Sequence, residues 1–246
     1  LATSLAVLDL GTHPEALTTY PFGAHGPPVI WPQQQQTPIY HNRAIWPFVT
    51  AYSVLAARRA GQGEIFASGL HSLVRGAALN LSNMENLEVT SGANFVEDGV
   101  FSGPVVNSQR QLWSVAGFIG AVVEGVFGLS VEGGVRRAAP ILPGGEWFRE
   151  GAVLTFGDFE ARIGTERLPA GTITRMAGED WRDLFGARVP TVTLEGAGEL
   201  VTLQFQGEEG ATFAVYKDGQ RVEENATSPW SDRSATTGFY SVVAHL

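Results

Sequence analysis

The stretch Tyr40-His41-Asn42-Arg43-Ala44-Ile45-Trp46-Pro47 is where a polar, aromatic loop runs into a helix, and its reading decides the first half of the chain. From Arg43 to Gly61 the apolar residues Ile45, Phe48, Val49, Tyr52, Leu55 and Ala56 follow the i, i+3, i+4, i+7 spacing of an amphipathic helix. Pro47 falls in its first turn, where a missing N–H costs little. Beyond Gly61-Gln62-Gly63 a second helical pattern carries Ile65, Phe66, Leu70, Leu73, Val74 and Leu79, so the two read as an antiparallel helical hairpin. A third helix, over about residues 109–127, is apolar almost all round, the pattern of an enclosed helix.

The segments between these helices are long. Residues 21–40 are rich in Pro, Gly, Gln and aromatics, and residues 82–108 are polar and broken by glycine. Loops of such length in a compact domain usually carry function, and the aromatic content of the first argues against disorder. From about Val135 the periodicity changes to strands. Val201, Leu203 and Phe205 alternate with Thr202 and Gln204, while Phe213 and Val215 lead to a hairpin signal at Asp218-Gly219. Phe239, Ser241 and Val243 alternate again near the end. With Gly133-Gly134 and Pro140 as a linker, the chain divides into a helical domain, 1–132, and an antiparallel β-sandwich, 133–246.

Composition narrows the function classes. Of 246 residues, 44 % are apolar and 17 % charged, enough to bury a core. The formal net charge of −9, with basic residues scattered, disfavours nucleic acid as a partner, because phosphate neutralisation needs clustered Lys and Arg. The absence of cysteine excludes disulfides and thiolate metal sites. The histidines lack metal-ligand spacing, so no metal or other cofactor is expected. The longest near-apolar run, Leu112–Val123, is about half of a bilayer span. A start at Leu1 without methionine or a signal-like segment reads as a cut through a longer protein, which makes the N-terminal part of the same polypeptide an expected partner.

Aromatic rings beside amide, imidazole and guanidinium groups are what a sugar site needs, since sugars present apolar C–H faces fringed by hydroxyls. Trp31, Tyr40, His41, Asn42, Arg43 and Trp46 provide that mixture. The competing reading makes the tryptophans core residues and His41 and Asn42 turn or cap residues.

The 40–47 string resembles the Y-x-N-G-x-x-W-P signature of six-hairpin (α/α)6 glycosidases, which include processing α-glucosidases, glucoamylases and glycogen-debranching enzymes. Arg43 stands where that signature has glycine. Glu85-Asn86-Leu87-Glu88-Val89-Thr90-Ser91-Gly92 is similar to the E-N-Y-N-x-x-T-G segment of the same enzymes, whose leading glutamate is the general base; Leu87, Glu88 and Ser91 depart from it. Asn107-Ser108-Gln109-Arg110-Gln111-Leu112-Trp113-Ser114 resembles the tract opening that family's last barrel helix. The resemblance implies an α+β multidomain chain: the C-terminal part of an (α/α)6 toroid followed by the β-sandwich.

It also implies an inverting exo-glycoside hydrolase that removes a terminal, α-glucose-like sugar from an oligosaccharide, which would place the protein outside the cytoplasm. Such hydrolysis needs one carboxyl group to protonate the departing oxygen and another to activate water. Glu85 is the expected base, with Glu88 in reserve. Trp31, Trp46 and Trp113 would wall the pocket, and Tyr40, His41, Asn42, Arg43, Gln109 and Arg110 would bind hydroxyls. Asp9 and Glu15 lie too near the later motifs to be the acid, so the segment alone is expected to be inactive. Two rivals stand beside this: a phosphorylase with a phosphate pocket built from Arg43 and Arg110, and a non-catalytic sugar-binding protein.

Overall fold

A computed structural model of the chain describes residues 14–34, 37–145, 147–176, 187, 190–196, 200–217, 220–233, 238 and 240–246. Asp9, Asp218, Gly219 and Phe239, singled out above, lie outside the described residues, as does the side chain of Glu15.

A short helix, α1 (Pro14–Thr19), precedes the helical hairpin of α2 (Pro47–Ala60) and α3 (Gly63–Asn80). Pro47 opens α2, and Gly61 closes it in the left-handed region at φ 68°, a backbone conformation that glycine takes without a steric penalty. The hairpin packs closely because α3 presents Gly69 to α2. A Cβ there would lie 2.6 Å from Val54 Cγ2. The helix α4 (Leu112–Gly120) starts at Gln111, whose side chain accepts the Leu112 N–H, and runs on as a π-helical turn over Ala121–Val126. It crosses α2 at Gly117, where a Cβ would meet that of Ala51 at 2.9 Å.

The strands are short. They are β1 (Pro21–Phe22), β2 (Ala44–Ile45), β3 (Leu87–Glu88), β4 (Ser130–Glu132), β5 (Val135–Arg137), β6 (Val153–Phe156), β7 (Phe159–Arg162) and β8 (Thr174–Arg175). Then come β9 (Thr191–Glu195), β10 (Val201–Gln206), β11 (Thr212–Lys217), β12 (Gln220–Glu223), β13 (Trp230–Asp232) and β14 (Tyr240–His245). Two-stranded sheets form from β2 with β3, β4 with β5, β6 with β7, and β1 with β8, the last parallel. The remaining strands make two three-stranded antiparallel sheets, β13-β10-β9 and β12-β11-β14. Leu203 and Phe205 from the first and Val215 from the second share one buried cluster with Ala226.

Residues 138–173 act as a strap over the helices. Ile141, Ala161 and Ile163 join Val49, Val54, Ile65, Phe66, Leu70 and Val126 in the main core. The Gly63 and Glu64 N–H groups, which a helix start leaves without intrahelical partners, donate to Pro169 O (2.8 Å) and Ala170 O (2.6 Å). Arg58 donates to the carbonyls of Gly125 and Ala139, fastening the start of the strap to the end of α2.

The (α/α)6 toroid and the continuous sandwich expected from the sequence are both overturned. Among the described residues there are four short helices, and the rest is small sheets of two or three strands, with no helical barrel. A ring of hairpins forms only when each hairpin lies on the next. Here α4 packs on α2 and leaves Leu112 and Ile119 exposed. The strands over 130–175 pair locally or return to the helical core, so they do not extend the two C-terminal sheets.

The hairpin contact gives a test. Alanine at Gly69 gains about 1 kcal/mol of helix propensity, but its methyl would strike Val54, and overpacking of this kind costs about 1–3 kcal/mol. Gly69→Ala is therefore expected to lower the urea midpoint; a higher midpoint would mean the two helices are not in close contact.

Candidate functional site

The two-residue ladder Ala44↔Glu88 and Ile45↔Leu87 lays the tract 40–46 against the loop that bears Glu85. A second seam joins that loop to the approach of α4. Glu85 N–H donates to Ser108 O at 2.9 Å, and Ser108 N–H donates back to Glu85 Oε2 at 2.9 Å. Asn107 continues the seam, accepting from the Asn86 N–H (3.2 Å) and donating to Asn86 O (2.8 Å) and Asn94 O (2.9 Å). Gln111 N–H reaches Asn83 O at 3.1 Å, and the Ser82 hydroxyl donates to Gln109 O. Glu85 is thus held in place while being only 6 % exposed. Burial, then the nearby Glu85 charge and side-chain hydrogen bonding, raise the Tyr40 phenol above its ordinary range. Tyr40 therefore keeps its proton beside Glu85.

An aromatic cluster adjoins this carboxylate. His41 stacks on Trp46 with centroids 5.1 Å apart and planes at 8°, and Tyr40 meets both rings edge-on at 4.5 and 5.5 Å. Trp46 Nε1 donates to Tyr40 O at 3.2 Å. Trp46 is 7 % exposed, so its indole is a wall of the core and its face is already covered by His41. Trp113 lies 6.0 Å from Trp46 and 5.4 Å from Phe48 and is 47 % exposed. The faces open to a ligand belong to His41 and Trp113.

Other expected site residues are structural. Asn42 is buried and clamps Gln34, accepting from its N–H at 2.7 Å and donating to its carbonyl at 2.6 Å. Arg43 is in the left-handed region at φ 55°, the conformation for which glycine is the ordinary choice. Its buried guanidinium pairs with Asp98 Oδ2 (2.8 Å) and Glu88 Oε1 (3.7 Å). Glu88, the reserve base, is 1 % exposed. Its Oε2 accepts the Thr90 and Ser91 N–H groups and both hydroxyls at 2.5–3.0 Å. With Oε2 taken up by these four donors and Oε1 enclosed beside the Arg43 guanidinium, the carboxylate is shut off from solvent, and water activation is not open to it.

Trp31 packs in a separate cluster with Ile45, Met84, Leu87, Val89 and Met176. Gln109 and Arg110 are exposed on the segment seamed to the Glu85 loop. Sequence reasoning missed Asp98, Asn107 and Ser108 as supports of the site; nothing in their spacing signals partners in distant loops. The C-terminal sheet faces the Arg43 cluster as well. Burial, then the Glu88 charge, raises Tyr216, and burial lowers His245 against the opposing pull of Asp98. No group of metal-ligating side chains occurs among the described residues, and none of their helices is long and apolar enough to cross a membrane. Comparison with protein-family profiles, curated proteins and solved structures finds no match to this chain.

Two measurements probe this framework. Arg43→Ala removes one partner of a buried ion pair, a loss of about 3–5 kcal/mol. Arg43→Gly relieves the left-handed backbone as well and should be about 1 kcal/mol more stable than the alanine variant. Equal denaturation midpoints for the two would refute that conformation.

His25 is buried against Gly92, and burial, then the Arg75 charge, lowers its pKa to about 4. The unfolded chain binds this proton near pH 6.5 and the native state only near pH 4. The neutral ring's contribution is complete above pH 6.5 and falls by about 3 kcal/mol as the pH drops to 4. The stability difference between wild type and His25→Gln should shrink over that window, and a flat difference would contradict the burial.

Proposed function

We propose that this site binds a carbohydrate and hydrolyses a terminal glycosidic bond, with Glu85 as the base that activates water. The observation that carries the reading is the Glu85 carboxylate itself: anchored through one oxygen by the Ser108 N–H, and near enough to raise the Tyr40 phenol, whose ring meets His41 and the Trp46 that Trp113 adjoins. A fixed carboxylate can take a proton from water as that water attacks the anomeric carbon. The departing oxygen must receive a proton from a second carboxyl group. Glu88 and Asp98 are both engaged with Arg43, so the reading draws that acid from outside the described residues.

One observation favours a second reading, in which the site binds sugar without cleaving it: of the cluster's carboxylates, Glu85 alone is not paired with Arg43. A phosphate pocket formed by Arg43 and Arg110 has little support, because Arg43 is buried in its ion pairs.

The test is a hydrolysis screen of terminal glycosides with the full-length protein, following product anomers by NMR and binding by calorimetry. Glu85→Gln should lower turnover by about 10²–10⁴-fold, the range for a general base, while saccharide binding persists. Undiminished turnover in that variant would remove Glu85 from the role, and a product of retained configuration would overturn inversion. Binding without turnover by wild type would establish the second reading.

A further inference from the structure

The aromatic series does not stop at Trp113. From Trp46 it passes to Phe48 (6.0 Å) and Trp113 (6.0 Å), and from Phe48 to Tyr52 (6.3 Å). It ends in a cleft of about 540 Å³ between α2 and α4, within the size range of about 300–1,000 Å³ typical of small-molecule sites. One wall is the stripe Phe48, Tyr52, Leu55 and Arg59 of α2. The facing wall is Trp113, Gly117 and Gly120, with Glu124 on the following turn. These residues recur every three or four positions, so each wall is one face of its helix. Gly120 presents no side chain and has open space where a Cβ would stand, which keeps the cleft open in its middle.

Resting on the carbohydrate reading above, we infer that this cleft is an oligosaccharide subsite holding the sugar units beyond the one at Glu85. Three features specify the occupant. The exposed surface at the near end consists of ring faces, Trp113 and the 45 %-exposed Tyr52, which suit the C–H faces of a pyranose. The far end offers a guanidinium donor and a carboxylate acceptor, the exposed side chains of Arg59 and Glu124, and these match hydroxyl groups. Phe48 to Arg59 spans about 16 Å at the helical rise of 1.5 Å per residue. That is room for a short chain of sugar rings but too little volume for a docked helix, itself about 10 Å across.

The experiment measures affinity for one saccharide series of increasing length, using the full-length protein in wild-type, Tyr52→Ala and Arg59→Ala forms, with sedimentation of each. Both substitutions are at exposed positions away from Glu85. Wild type should bind longer members about tenfold or more tightly than the monosaccharide. Tyr52→Ala and Arg59→Ala should lose that gain while binding the monosaccharide unchanged. If wild type binds the monosaccharide but gains nothing with length, the subsite is refuted and the Glu85 reading stands. Binding of no saccharide at any length refutes both. If the two variants keep the gain and instead reduce the sedimenting mass, the cleft is an interface between copies of the chain.

Discussion

The Glu88 carboxylate is the constraint on which the rest of the candidate site depends. Two residues of strand pairing, β2 on β3, are far too little to hold two loops together in water. Glu88 supplies what the ladder lacks. One oxygen gathers both backbone N–H groups and both hydroxyls of Thr90 and Ser91, closing the turn after β3, and the other faces the Arg43 guanidinium. Arg43 then extends the tie to Asp98. A carboxylate this enclosed would be costly if unpaired. The four donors on one oxygen and the guanidinium beside the other are the reason that the chain around it has one arrangement, with Glu85 three residues upstream fixed in consequence.

Packing divides the labour among the aromatics. Trp46 contributes burial and shape, enclosed by Tyr40, His41, Phe48 and Trp113. The rings that remain accessible are those next to it. Tryptophan is among the largest apolar surfaces a core can bury, and one at a helix start serves as the peg on which a loop turns. Of the loop's polar residues Asn42 and Arg43 are buried with it, and His41 is left at the surface, where ligand chemistry can use it.

The local elements were readable from the amino-acid order, and their assembly was not. Apolar spacing and punctuation by Pro47 and Gly61 mark α2 and α3 to within a few residues, because both signals are local consequences of helix geometry. The alternation at 201–205 likewise becomes β10. The apolar pattern over about 109–127 predicts an enclosed helix, but Leu112, Trp113 and Ile119 are exposed; periodicity reports which faces are apolar and says nothing about what covers them. The glycine position taken by Arg43 marks a left-handed residue, a backbone demand that a motif can encode. That its side chain would find Asp98, 55 positions away, depends on loop packing and is written in no spacing. Glu88 shows the same limit, since a buried structural carboxylate and a reactive one look alike as letters.

The strap has a consequence for how the chain is made. The helical hairpin is complete by Asn80, yet the carbonyls that receive the first N–H groups of α3 belong to Pro169 and Ala170. Ribosomal synthesis at about 5–20 residues per second leaves an interval of roughly 5–20 s during which α2 and α3 exist without their cover. Throughout that time Ile65 and Phe66, enclosed in the finished protein, face solvent or a chaperone. A nascent chain stalled before residue 160 would present its best hydrophobic surface to whatever protein-quality machinery is at hand.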